Sequence, residues 1–165
     1  MPDDPTLARI NEAVQLHHVG GDRAAARVMF TEIWTAIGGE AGDPLHVCVL
    51  AHSMADVQDD PRSELLWDQR ALTAVASLTD DDLASAGVPM TVAQLYPSLH
   101  LNLADCYHRL GDLPQARKHL AEARSTVDTL ADNDYGHLIR DGLSRLSAQI
   151  SPGIGSARAA RDAGA

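Results

Sequence analysis

Asp-Pro occurs three times in this chain, at residues 4–5, 43–44 and 60–61, and each time an apolar-periodic run follows. The pair is a helix start. Asp accepts hydrogen bonds from free backbone N–H groups, and Pro fits the first turn, where it has no hydrogen bond to lose. The stops are as regular: Gly20-Gly21, Gly38-Gly39 and Gly111 close runs of helical period, and glycine takes the left-handed conformation that ends a helix. These signals predict helices from Asp4-Pro5 to Gly20, from Asp22 to about Ile37, from Asp43-Pro44 to about Val57 and from Asp60-Pro61 to about Leu78. Thr79 can cap a short helix through Asp80–Ser85. Residues 87–97 carry Gly87, Pro89 and Pro97 and read as a loop or broken helix. A further helix runs from about Pro97 to Leu110, and Asp112 caps the next, with Pro114 in its first turn. The last covers about Asn133–Ile150, with Tyr135, Leu138, Ile139, Leu143, Leu146 and Ile150 on one face.

No segment carries a strand pattern. Short turns between consecutive helices imply antiparallel hairpins. The fold class is therefore all-α, one helical domain over residues 1–150, with hairpins at about 5–38, 43–78 and 97–130. An insertion at about 79–97 is expected to be a mobile excursion, and an end helix follows at 133–150. The tail from 151 to 165, "SPGIGSARAARDAGA", is Gly-rich and unpatterned, and is expected to be disordered. Composition agrees with helices: aromatics are only 4% of the chain, within a hydrophobic content of 45%, and strands favour aromatic and β-branched residues.

The net charge of −10 argues against phosphate backbones and anionic membranes as ligands. Much of the acid lies in "PDD", "QDDP" and "TDDDL", where helix caps explain it. No apolar run reaches the ~18 residues of a membrane span, and the polar start is unlike a signal peptide, so a cytoplasmic location is expected. The two cysteines, Cys48 and Cys106, lie within helical patterns and form no CxxC pair, which speaks against a disulfide framework or a zinc ribbon. Twelve of the thirteen basic residues are Arg, a bias that suggests a high-GC bacterial coding sequence.

The hairpins also repeat. In "HLNLADCYHRLGDLPQARKHLAEA" the residues His100, Leu103-Ala104, Tyr107, Gly111, Ala116, Leu120 and Ala123 follow a spacing that resembles the tetratricopeptide repeat family. His100 stands in the place of the family's opening Trp and Asp128 in that of its closing Pro. A first copy has Ile10, Ala13, Val14 and His17 before Gly21, then Ala26, Phe30 and Ile33. A second has Val47, Leu50, Ala51 and Met54, then Ser63 and Trp67, with Gln58 where the turn Gly belongs. The anchors His17, Met54 and Tyr107 are 37 and 53 residues apart, against a family period of about 34, so the second gap holds the insertion. The spacing makes sense as packing: small residues let two helices approach and large ones fill the groove beside them. On this reading Cys106 and Tyr107 are packing residues. Trp34 and Trp67 pack between neighbouring hairpins.

The resemblance implies a concave surface lined by the first helix of each hairpin. Carried over residue by residue, that surface presents Asn11, Gln15 and His18, then Cys48, His52 and Asp56, then Asn102, Asp105, His108 and Arg109. Asn102 matches an Asn that in the family bonds the backbone of a bound peptide. The basic set with which the family clamps a terminal carboxylate is absent, and Arg109 is the lone cation. The expected function is a non-enzymatic interaction module that binds a protein or peptide segment, of basic character if charge decides. One alternative is a sensor domain for a small molecule or signalling peptide. Another is a metal protein or enzyme on the histidine-lined groove, with Cys48 and His52 joined by His108 or Asp105. The plain alternative is a solvated polar face. No catalytic residue, metal or cofactor is expected. Phosphate loops are absent, and no oxyanion hole is marked beside either Cys. His17 and His18 are sequence neighbours ~100° apart around a helix, so at most one should face the groove.

Overall fold

A computed structural model describes residues 4–151, and among them the fold is all-α with no strand. The helices are α1 (Pro5–His18), α2 (Arg23–Ala36), α3 (Pro44–Ala55), α4 (Pro61–Val75), α5 (Asp80–Ser85), α6 (Val92–Arg109), α7 (Leu113–Thr126) and α8 (Asp134–Ile150). The expected caps form. Asp4 accepts from the N–H groups of Thr6 and Leu7, Asp43 from Leu45 and His46, and Asp60 from Arg62 and Ser63. Asp22 and Asp112 each cap one N–H of the following turn. Gly21 and Gly111, with φ of 67° and 81°, close the turns after α1 and α6.

Consecutive helices pack in pairs: α1 on α2, α3 on α4, and α6 on α7. The first pair meets the second through α3, the second meets the third through α4 and α6, and α8 lies against both α6 and α7. Burial follows the same order. One apolar cluster gathers Leu7, Ile10, Phe30, Ile33, Leu50 and Met54. Another joins Cys48, Ala51, Ala71, Val75 and Leu99 between α3, α4 and α6. A third joins Ala104, Ala116 and Leu120 to Ile139, Leu143 and Leu146 of α8. Ala104 and Ala116 are fully buried where α6 meets α7, as the repeat spacing expects. Trp34 and Trp67 meet edge to face, 4.8 Å between ring centroids, and Arg70 lies over both rings.

Two expectations need correction. First, α6 starts at Val92, not Pro97, and Pro97 lies buried within it. Proline removes a helical N–H and leaves the carbonyl four residues earlier without its donor. Here Thr129 Oγ1 lies 3.4 Å from that carbonyl, Ala93 O, with its single proton directed at Thr126 O at 2.6 Å. The start is fixed ahead of the proline, where Gln94 Oε1 accepts from Thr91 N and Asp80 Oδ1 accepts from Val92 N. Second, the segment 79–97 is not an excursion. Leu83 has no exposed surface and belongs to the first apolar cluster, with Ala86, Val88, Met90, Val92 and Leu95 packed beside it. The expected disordered tail, apart from Ser151, lies outside the described residues.

Candidate functional site

Along α4 the residues Asp68, Ala71, Leu72 and Val75 fall at helical spacing on the face that packs inward. One member of that stripe is a carboxylate, and Asp68 is fully buried. Burying an ionised carboxylate is costly unless donors replace its water. The donors present are distant. Asn102 Nδ2 is 3.5 Å from Asp68 Oδ1, Cys106 Sγ is 3.6 Å from Oδ2, and His52 Nδ1 is 3.8 Å from Oδ1. Ordinary hydrogen bonds to oxygen close to about 2.7–3.2 Å. The His52 Nδ1 atom is itself sealed from solvent and has no hydrogen-bond partner.

More charge surrounds this centre. Glu64, one turn before Asp68, pairs with Arg109 at 2.8 Å, and Arg109 Nε donates to Asp105 Oδ2 at 2.8 Å. Arg109 Nη2 also reaches Cys106 Sγ at 3.5 Å. Burial raises the Glu64 pKa, Arg109 opposes it, and Asp68 and Asp105 push it further up. Asp56, at the end of α3, is raised by burial and by Asp68, against the pull of His52. Burial works against a charged His52, but Asp68 and Asp56 outweigh it and its pKa ends above the ordinary imidazole value. The direction of all three shifts is that of an excess of negative charge.

The structure therefore brings together His52, Asp56, Asn102, Asp105 and Arg109 of the expected surface, on α3 and α6. His18 is within electrostatic reach of Asp56. Asn11 and Gln15 are exposed on α1, and half-buried His108 joins none of these hydrogen bonds. Cys48 does not line the surface. It is buried in the apolar cluster between α3, α4 and α6, and burial pushes its thiol up to about 12. The expected grouping of Cys48 with His52 and a neighbour's His108 or Asp105 is thereby replaced: the oxygen and sulfur atoms that converge within 4.8 Å belong to Glu64, Asp68 and Cys106. Cys106 is fully buried, as a packing residue is, yet its sulfur faces a charge on each side. His17 is half-buried and His18 exposed, with their ring centroids 4.7 Å apart.

Sequence reasoning missed Asp68 and Glu64, although the signal was present as a carboxylate between Leu65 and Leu72 on an apolar stripe. It also missed His119. His100 Nδ1 and His119 Nδ1 lie 3.0 Å apart in a column of rings that continues to Tyr96 on one side and Tyr107 on the other. Tyr107 holds its hydroxyl 3.1 Å from Gln69 Nε2, which ties α6 to α4.

Compared with family models, characterised proteins and solved structures, the chain finds no match. Among the described residues no helix is long and apolar enough to cross a membrane.

Proposed function

We propose that the chain is a non-enzymatic interaction module that binds a basic protein or peptide segment along the polar surface between α3, α4 and α6. The observation that carries this reading is the charge imbalance there. Glu64 and Asp105 share one permanently charged partner, Arg109, while Asp56 and Asp68 lie beside His52. An incoming Lys or Arg would relieve that repulsion and bring long-range attraction to a chain of net charge −10. The tetratricopeptide resemblance of the repeat residues supports the same role, with Asn102 as a contact to ligand backbone. The thiols support the absence of catalysis: burial raises both Cys48 and Cys106, and a nucleophilic cysteine needs the opposite shift. The test is a pull-down followed by calorimetric titration of the recovered segment. Asn102→Ala should weaken binding by one or two polar contacts, each about 0.5–1.5 kcal/mol. Equal affinity in parent and variant would exclude Asn102 from the interface.

A second reading, a small-molecule sensor, draws on a different place. A cavity of about 360 Å³ opens beside Glu40, Val47, Leu66, Gln69, Arg70 and Thr73, a volume within the range of small-ligand pockets. Native mass spectrometry of the purified chain tests it through the mass of any co-purified molecule.

A further inference from the structure

We infer that Glu64, Asp68 and Cys106 form a three-donor binding site for a divalent transition-metal ion of the zinc type where α4 packs against α6, with His52 beside Asp68 on α3. The inference concerns the floor of the polar surface, and a bound dication would cancel the charge of Glu64 and Asp68 and leave Asp56 and Asp105 to draw in a basic partner.

Three observations converge. The first is the donor set. One ligand atom each from Glu64, Asp68 and Cys106 lies within 4.8 Å of the other two, and a thiolate beside carboxylates suits zinc or cobalt better than magnesium or calcium. The second is geometry. Tetrahedral coordination at zinc bond lengths sets donor atoms about 3.3–3.8 Å apart. Cys106 Sγ to Asp68 Oδ2 is 3.6 Å. That separation suits two ligands of one ion. The third is the unmet need of buried groups. Asp68 has no exposed surface and no donor closer than 3.5 Å. His52 Nδ1 is buried, without a hydrogen-bond partner, and turned toward Asp68. A native interior rarely leaves a buried nitrogen such as His52 Nδ1 without a partner.

Charge fits as well. Three anionic ligands around a dication leave one negative charge, and Arg109, 2.8 Å from Glu64 and 3.5 Å from Cys106, supplies the balancing cation. Arg109 then acts as the outer partner that orients two ligands. A cysteine binds a metal as the thiolate, so the ion must displace its proton, and binding weakens as pH falls.

The experiment uses the full chain and Co²⁺ as the probe, with Zn²⁺ as competitor. Cobalt bound to a thiolate shows a sulfur-to-metal charge-transfer band that carboxylates and imidazoles alone do not give. The expected result is saturable binding of one Co²⁺ with that band, loss of the band on addition of Zn²⁺, and release of a proton. Cys106→Ser abolishes the band, whereas Cys48→Ser retains it. Glu64→Gln weakens binding about tenfold or more while helicity by circular dichroism is unchanged, which keeps the test valid if Cys106→Ser fails to fold. No saturable binding at micromolar metal, binding without the charge-transfer band, or a band that survives Cys106→Ser would overturn the assignment.

Discussion

Asp68 is buried at the α4–α6 contact, where Asn102 Nδ2 at 3.5 Å and Cys106 Sγ at 3.6 Å face its carboxylate. Replacing a poorly compensated buried charge by a neutral group of the same shape is commonly neutral or stabilising. Asp68→Asn is therefore expected to leave the thermal midpoint unchanged or raise it, by about 1 kcal/mol or more in stability, when melting is followed in the presence of a chelator. A loss of about 2 kcal/mol would show that the carboxylate holds α4 to α6. The histidine pair makes a separate prediction. Burial lowers the pKa of both His100 and His119, with Lys118 adding to the effect at each and Glu122 opposing it. A folded value below the unfolded ~6.5 means that the folded state binds fewer protons in that window. Stability from this pair is complete above pH 6.5 and is lost as pH falls below it. His52 is shifted upward and slopes the other way, so the readout is the difference between the parent and a His100→Phe/His119→Phe variant. The parent's stability relative to the variant should fall between pH 7 and pH 5. A difference that stays flat would mean that the rings are not buried together. At this scale the sequence was only partly legible. Spacing picks out a residue on an apolar stripe, as with His100, but it does not say which buried polar groups meet across helices, as His119 and Asp68 do.

The α6–α7 contact is built on small residues, and both Ala104 and Ala116 have no exposed surface. Ala104→Leu should overpack that contact and cost roughly 1–3 kcal/mol in chemical denaturation. An unchanged midpoint would place the helix contact elsewhere. The segment 79–97 makes the opposite kind of prediction. Leu83 lies in the first apolar cluster, so Leu83→Ala should cost about 2–5 kcal/mol, whereas a mobile excursion would tolerate it. Helix starts were legible because a cap is local: Asp4, Asp22, Asp43, Asp60 and Asp112 each bond backbone within three residues of themselves. The start of α6 was not. A proline normally argues for a boundary, and what overrules it here are the capping bonds ahead of it, one of them from Asp80, 12 residues before Val92. A six-residue helix such as α5 likewise gives too short a pattern to show which face is buried.

For the whole molecule, the pairing of helices α1 with α2, α3 with α4 and α6 with α7 follows from short turns between apolar runs, and was legible for that reason. The polar surface was legible where it lies on the first helix of a pair, at His52, Asp56, Asn102, Asp105 and Arg109. It was hidden where the second helix contributes, because Glu64 and Asp68 enter only once α4 is seated on α6. The central functional claim is that excess negative charge on this surface draws in a basic segment. The direct measurement is calorimetric titration of the partner segment, recovered by pull-down, against Asp56→Lys, Asp105→Lys and, as control, Lys118→Glu on exposed α7. The account predicts that both surface variants weaken binding and reduce its dependence on salt, while the control matches the parent. Parent-like binding by Asp56→Lys and Asp105→Lys together with loss in Lys118→Glu would contradict it and move the partner to the opposite helices.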